Sequence, residues 1–109
     1  MSEIKFNEWQ NLDLRIGKVV EATDHPNADK LYILSVDIGE AKPRTIVAGI
    51  KEFYKPNELV GKKIVIFANL EPSKLRGVES NGMLLAGEND GDCVLLVPEK
   101  DIEVGTRIR

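Results

Sequence analysis

The chain has 109 residues, of which 42% are hydrophobic and 30% charged, as expected for one soluble globular domain spanning residues 1–109. No segment approaches the roughly 18 consecutive apolar residues of a membrane helix, and the first ten residues lack a secretion signal, so we expect no membrane partner and a cytoplasmic location. The formal net charge of −3, taken alone, argues against a nucleic-acid ligand.

Short segments of alternating apolar and polar residues, separated by turns rich in glycine, proline and asparagine, predict strands along the chain. Gly17 lies inside the first strand and predicts a bulge or bend there. Residues 50–59 have room for a short helix that Pro56 would cut off. The predicted strands are residues 12–20, 32–38, 45–48, 62–69 and 83–86, followed by 93–97 and 106–108.

Five principal strands with a short helical connection after the third are typical of an all-β, five-stranded OB-fold Greek-key barrel. The last short strands would form a C-terminal extension of that barrel. A β-sandwich is the alternative, but it would usually need more strands before residue 90. In an OB barrel the ligand meets strands two and three and the loops after strands one and four, which here are residues 24–30 and 70–82.

Residues that commonly build catalytic or metal sites are scarce. Cys93 is the only cysteine, so no internal disulfide or cysteine-based metal site can form, and we expect it to be a small buried side chain. His25 is the only histidine and precedes Pro26, which favours a turn-capping or solvated role over a catalytic one. Residues 88–92 lack the ligand spacing of a calcium loop. We therefore expect no enzymatic activity, no metal and no cofactor.

Charge is distributed unevenly along the chain, with a net of −4 over residues 1–41, +5 over residues 42–76 and −4 over residues 77–109. A basic middle between acidic ends is typical of a patch that docks a polyanion in one orientation. Ordinary solvated lysines explain the charge pattern equally well. The basic residues of the middle segment are Lys42, Arg44, Lys51, Lys55, Lys62, Lys63, Lys74 and Arg76.

The strongest functional signal lies in residues 69–86. Lys74 and Arg76 are two residues apart, so in an extended segment both would point the same way at a spacing of about 7 Å, which suits neighbouring phosphates. Gly77 and Gly82 would let the backbone approach a ligand closely. The segment therefore predicts binding of a phosphate backbone rather than catalysis.

Residues 69–86 follow the pattern N-L-x-P-x-K-x-R-G-x-x-S-x-G-M-x-L-A, which resembles the hallmark of the tRNA-binding domain family. Residues 12–19, 25–32 and 44–50 resemble three further blocks of that family in the same order, so the resemblance covers about residues 6–108. The family includes stand-alone structure-specific tRNA-binding proteins. It also provides the C-terminal domain or separate β subunit of methionyl-tRNA synthetases.

The resemblance implies an OB barrel without catalytic activity that binds the outer corner of the L-shaped tRNA. It also implies a homodimer for stand-alone members and, for others, the catalytic subunit of methionyl-tRNA synthetase as a partner. The tRNA contacts implied by the resemblance are Asn69, Lys74, Arg76, Ser80 and Met83, and weaker candidates, chosen for charge and position, are Lys30, Arg44 and Lys51.

One branch of the family acts as a protein-secretion chaperone, so a protein-interaction module, either a chaperone or a scaffold for synthetase assembly, is the alternative function. That branch usually departs from the H-P-x-A-D-K-L and S-x-G-M blocks, which are intact here at residues 25–31 and 80–83 and favour the tRNA branch. Glu71 lies where family members often carry lysine, and it lowers the local positive charge. The few aromatic residues form no cluster on the predicted binding face, which argues against stacking on single-stranded RNA.

Overall fold

The computed structural model describes residues 2–109. Within them, two short helices and ten strands are formed, and no helix is long and apolar enough to cross a membrane. In chain order the elements are α1 (Phe6–Gln10), β1 (Leu14–Asp24), β2 (Tyr32–Asp37), β3 (Arg44–Ala48), α2 (Pro56–Leu59), β4 (Lys63–Phe67), β5 (Ser73–Leu75), β6 (Val78–Ser80), β7 (Met83–Leu84), β8 (Ala86–Asn89), β9 (Asp92–Leu95) and β10 (Arg107–Ile108).

The main sheet is antiparallel and curls into a nearly closed barrel. Its strand order is β3-β2-β1-β4-β7, and β10 pairs with the start of β1. The gap between β3 and β7 is bridged where the N–H of Asn81 donates to the carbonyl of Thr45 at 2.8 Å. Five strands in this order, with α2 between β3 and β4, confirm the predicted OB-type barrel.

The barrel interior is filled by the apolar residues that alternate along the strands. In β2 and β4 every second residue is buried, as the two-residue period of a strand requires. Cys93 is also buried in this core, which confirms its predicted apolar role, and burial raises the pKa of its thiol. The side chains with no exposed surface include Val19, Leu34, Val36, Ile38, Ile46, Leu59, Ile64 and Ile66.

The first strand is irregular at a different place from the one predicted. The bulge lies between Val19 and Glu21, where the pairing with β2 shifts, whereas the pairing of β1 with β4 runs through Gly17 without interruption. Gly17 is needed for space, because a Cβ there would lie 2.7 Å from Cγ1 of Val36 and 2.9 Å from Cγ1 of Ile66. The prediction of a bulge at this glycine was therefore wrong, and barrel packing explains the residue.

Both helices also differ from expectation. The helix between β3 and β4 begins at Pro56 instead of ending there. Proline suits the first helical position because an N–H at that position has no partner within the helix, so its absence costs nothing. Helix α1 has no sequence signal, since a single turn of five residues is too short to show a helical period. Its start is fixed by the N–H of Lys5, which donates to the carboxylate of Glu8 at 3.1 Å.

The C-terminal third forms short strands, as predicted, but with different limits. The predicted strand over residues 83–86 is divided, because β7 ends at Leu84 and Ala86 begins β8, which pairs with β9 in a separate hairpin. β10 then returns to the start of β1, pairing Ile108 with Leu14. These strands form the expected extension of the barrel.

Candidate nucleic-acid interface

The middle of the predicted binding loop, residues 70–82, forms a separate two-stranded hairpin, whose two strands were not predicted. Strands β5 and β6 pair along all three of their residues. The turn consists of Arg76 and Gly77, with φ values of 54° and 89°, the positive values that a two-residue type I′ turn requires. The sequence did contain this signal, because Leu75 and Val78 flank a two-residue turn ending in glycine.

Lys74 and Arg76 both lie on this hairpin, which we call the cationic hairpin (residues 73–80). Both residues are exposed, and neither belongs to an ion pair among residues 2–109. The prediction that both side chains point the same way from one extended segment was wrong, because Arg76 lies in the turn with a left-handed backbone conformation. Lys74 lies opposite Glu79 across the hairpin, so the negative charge of Glu79 partly offsets its positive charge.

Ser80 fastens the base of the cationic hairpin to the barrel. Its side chain is buried, and its hydroxyl accepts a hydrogen bond from the N–H of Val47 at 3.0 Å and donates to the carbonyl of Gly82 at 2.8 Å. Because both hydrogen bonds of the hydroxyl are made within the fold, this predicted contact residue supports the base of the hairpin from inside the protein.

Arg44 joins the base of the hairpin to the ends of two strands. Its guanidinium donates to the carbonyl of Ala68 and, at 3.3 Å, to that of Asn81. It also forms two hydrogen bonds with the carboxylate of Glu40, at 2.8 and 2.9 Å. These bonds raise the pKa of Arg44 and hold the pKa of Glu40 below its ordinary value. This candidate cation is therefore committed to internal partners.

The lowered pKa of Glu40 predicts a loss of stability in acid. A carboxylate with a lower pKa in the folded than in the unfolded state stabilises the protein above the unfolded value, and that contribution is lost as the pH falls through the folded value. We expect the melting temperature to fall between about pH 5 and pH 3, and to fall less in Glu40→Gln than in the wild type. Thermal melts across this range, with Glu99→Gln at an exposed site as the control, would contradict the prediction if Glu40→Gln and the wild type lost stability in parallel.

Asn69 holds together two segments that are far apart in the chain. Its Oδ1 accepts from the N–H of Asp13 at 2.8 Å, and its Nδ2 donates to the carbonyl of Asn11 at 2.7 Å. With Arg44 and Glu71 it lines a cleft of about 520 Å³ at the base of the cationic hairpin. The amide of Asn69 thus anchors the end of β4, and the carboxylate of Glu71 makes this cleft less positive than the hairpin.

Lys30, another of the weaker candidates, lies in the predicted binding loop of residues 24–30, and Lys51, in the segment after β3, pairs with Asp24 at the end of β1. The Nζ of Lys51 is 3.4 Å from Oδ1 of Asp24, and the Nζ of Lys30 is 3.8 Å from Oε1 of Glu52. The side chain of Lys30 is 76% exposed, so its ion pair is weak and its charge remains available to a ligand.

Met83 begins strand β7 at the far end of the same segment. It lies opposite Phe67 in the pairing of β7 with β4, and its side chain is half-buried. Part of Met83 is therefore accessible to a ligand.

His25 contacts the cationic hairpin from the loop after β1, a contact that the sequence did not predict. Its Nδ1 accepts a hydrogen bond from the N–H of Asn27 at 3.0 Å, which confirms the turn-capping role. Because Nδ1 is an acceptor, the proton lies on Nε2, which is 2.9 Å from the carbonyl oxygen of Leu75 and donates to it. The ring is 4% exposed, so the alternative of a solvated side chain was wrong.

Five basic residues of segment 42–76 lie outside the ion pairs of residues 2–109, and two of them, Lys74 and Arg76, lie on the hairpin. Three basic residues of segment 42–76 have carboxylate partners, namely Arg44, Lys51 and Lys63, the last of which is 2.7 Å from Asp101. Across residues 2–109, no three His, Cys, Asp or Glu side chains are grouped to hold a metal. An OB-type barrel with an exposed cationic hairpin beside its binding face belongs to the class of oligonucleotide-binding modules.

Comparison with known proteins identifies the family within that class. The family model described as "Putative tRNA binding domain" matches residues 14–107, and the chain belongs to the tRNA-binding domain family. The methionine–tRNA ligase of Pyrococcus horikoshii is 54% identical over 109 residues, which are 100% of this chain and 15% of the ligase. The chain therefore spans less than a fifth of the length of such relatives.

Two solved structures are similar over nearly their whole length. A MetRS-related protein from Pyrococcus horikoshii superposes with a TM-score of 0.91 at 36% identity, covering 100% of both chains. The chaperone CsaA from Bacillus anthracis superposes with a TM-score of 0.88 at 34% identity, covering 99% of this chain and 100% of the other. These findings confirm the family resemblance and the fold drawn from the sequence.

Proposed function

We propose that this chain binds folded tRNA at its outer corner without catalysing a reaction on it, and that the cationic hairpin contacts the sugar-phosphate backbone. The observation that carries the proposal is the contrast between cations. Lys74 and Arg76 lie together on one hairpin, exposed and outside the ion pairs of residues 2–109, whereas Arg44, Lys51 and Lys63 each have a carboxylate partner. The other basic residues of the segment that lie outside these ion pairs, Lys42, Lys55 and Lys62, are on other parts of the chain. Membership of the tRNA-binding domain family supports the same ligand.

The chemistry of the hairpin suits a backbone ligand better than base edges. Double-helical RNA hides its base edges in a deep and narrow major groove, so proteins bind it mostly through phosphates, 2′-hydroxyls and shape. Arg76 offers a planar guanidinium that can donate two parallel hydrogen bonds to one phosphate, whereas Lys74 offers a compact charge. Binding of both cations would release counterions from the RNA, which makes the affinity depend on salt.

The other candidate residues take two different parts in this proposal. Lys30 and Met83 are additional contacts, because one is exposed at the neighbouring loop and the other is half-buried beside the hairpin. Arg44 and Ser80 support the base of the hairpin through hydrogen bonds to the backbone, and Asn69 anchors the end of β4 to Asn11 and Asp13. Lys51 pairs with Asp24 at the end of β1, and it contributes less charge to the ligand.

The proposal is tested by titrating the protein with a folded tRNA and with a linear RNA of the same length and scrambled sequence. We expect tighter binding of the tRNA, and a linear fall of the logarithm of its association constant with the logarithm of salt concentration between about 50 and 400 mM. Equal affinity for the two RNAs would contradict recognition of folded shape. Absence of salt-sensitive tRNA binding would contradict the proposed function as a whole.

A second candidate function is binding of unfolded polypeptides, which the similarity to the chaperone CsaA favours. This function predicts tight association with a carboxymethylated, permanently unfolded protein and little dependence on salt. The two functions are separated by adding that polypeptide to the tRNA complex and measuring whether either ligand displaces the other.

For the whole assembly, we propose a cytoplasmic homodimer or a subunit that accompanies the catalytic part of methionyl-tRNA synthetase. The support is the identity with 15% of the length of a larger ligase, together with the exposed apolar side chains of Phe6, Val94 and Leu96, which a second chain could cover. Light scattering on the samples of the tRNA titration measures the mass with and without ligand. A monomer in both samples would exclude the homodimer.

A further inference from the structure

His25 occupies an unusual position for a polar residue in this fold. With Ser80, it is one of two polar side chains among residues 2–109 that are buried, and both of its ring nitrogens have hydrogen-bond partners. One partner, the N–H of Asn27, lies in its own loop. The other, the carbonyl of Leu75, lies on the cationic hairpin, 50 residues further along the chain.

The far part of the hairpin, residues 74–79, makes few hydrogen bonds to the rest of the fold. The base is tied to the barrel through Ser80 and Asn81. Among residues 2–109, the hydrogen bond from His25 is the one that joins residues 74–79 to the rest of the fold, because β5 and β6 otherwise bond only to each other. An isolated two-stranded hairpin is marginally stable in water. The far part therefore depends on this bond and on apolar packing for its position.

The carbonyl that His25 holds belongs to the residue between the two proposed tRNA contacts. Leu75 is bonded covalently to Lys74 on one side and to Arg76 on the other. Fixing its carbonyl oxygen at 2.9 Å from Nε2 therefore fixes the backbone from which both cations extend. A ligand that meets a preordered hairpin binds more tightly than one that must first order it.

We propose that His25 is a positioning residue for tRNA binding: its neutral Nε2–H form holds Leu75, and with it the Arg76–Gly77 turn, in the orientation that receives the RNA backbone. This inference rests on the proposed function. His25 itself touches no RNA, because it is buried, and it acts through the hairpin.

Two amide substitutions separate the two hydrogen bonds of the ring. The side-chain nitrogen of glutamine lies about as far from the backbone as Nε2, so His25→Gln keeps the donor to Leu75. The oxygen of asparagine lies about where Nδ1 does, so His25→Asn keeps the acceptor for Asn27 but is too short to reach the hairpin. We expect His25→Asn to weaken tRNA binding about fivefold, the value of one hydrogen bond, and His25→Gln to stay within about twofold of the wild type.

Two readouts distinguish positioning from general stability and from direct contact. The salt dependence of binding should keep its slope in His25→Asn, because no phosphate contact is removed, and amide hydrogen exchange at Arg76 and Gly77 should become faster while core strands stay protected. Equal losses of affinity in both variants, in step with their melting temperatures, would overturn the proposal. So would wild-type affinity in His25→Asn.

The hydrogen bond can also be tested in the unaltered protein, whether or not the variants fold well. The nitrogen chemical shifts of the imidazole should show a proton on Nε2 and none on Nδ1, and the opposite tautomer would overturn the proposal. Hydrogen exchange and the tautomer are measured without RNA. A failure of tRNA binding in the wild type would therefore be recognised as a failure of the proposed function, separate from the role of His25 in ordering the hairpin.

Discussion

Replacing Lys74 by glutamine and Arg76 by asparagine together should weaken tRNA binding about tenfold or more at moderate salt, and reduce the slope of its salt dependence by about 2. Each substitution removes one exposed cation that lies outside the ion pairs of residues 2–109, so little internal stabilisation is lost. Asparagine suits the turn, because position 76 has a φ of 54°, and Asn-Gly is a preferred type I′ sequence. The affinity is measured by titration at several salt concentrations.

A matched control removes the same two charges elsewhere. Lys100 and Arg109 are exposed and lie far along the chain from the hairpin, so Lys100→Gln with Arg109→Asn should change affinity much less and leave the slope nearly unchanged. If both double variants lose affinity equally, net charge explains the effect and the hairpin has no special part. If the hairpin variant binds as the wild type does, the site assignment is wrong.

Gly82→Ala should destabilise the protein by about 3 kcal/mol or more, the sum of a strained backbone and a crowded interior. The φ of Gly82 is 125°, a conformation that L side chains rarely adopt. An added Cβ would also lie 2.8 Å from the carbonyl oxygen of Phe67 and 3.2 Å from Cδ1 of Ile46. A loss of this size corresponds to a fall in melting temperature of roughly 12 °C or more, measured by calorimetry.

Gly87→Ala is the control for this substitution. A Cβ at Gly87 would meet no atom within 4 Å, and no positive φ is required there. We expect a change within about 0.5 kcal/mol. A melting temperature of Gly82→Ala that matched this control would show that β4 and the start of β7 approach less closely than the structure places them.

The barrel could be predicted from the sequence because its strands carry their own pattern. In β2, the buried Tyr32, Leu34 and Val36 alternate with half-buried Ile33 and Ser35, and this period of two depends on nothing outside the strand. The same holds for β4. A sufficient number of such strands, with a short helix after the third, limits the architecture to a few choices.

The hydrogen bonds that hold the candidate site in place could not be predicted, because they join segments that are far apart in the sequence. The side chain of Asn69 bonds to a carbonyl 58 residues away, and that of His25 to one 50 residues away. Whether a lysine or arginine is free also depends on the fold, as the pairing of Lys63 with Asp101 illustrates. The sequence shows that positive charge is in excess in the middle segment, but only the folded chain shows which of its basic residues lack an ion-pair partner.

The separate pairing of β5 with β6 affects how this fold can change during evolution. Residues 74–79 contribute no rung to the main sheet and no side chain to the buried cluster, so they can be altered with little cost to the barrel. Mutations that change the ligand can therefore accumulate in six positions while the scaffold stays intact. A change of ligand can in this way be confined to one β-hairpin.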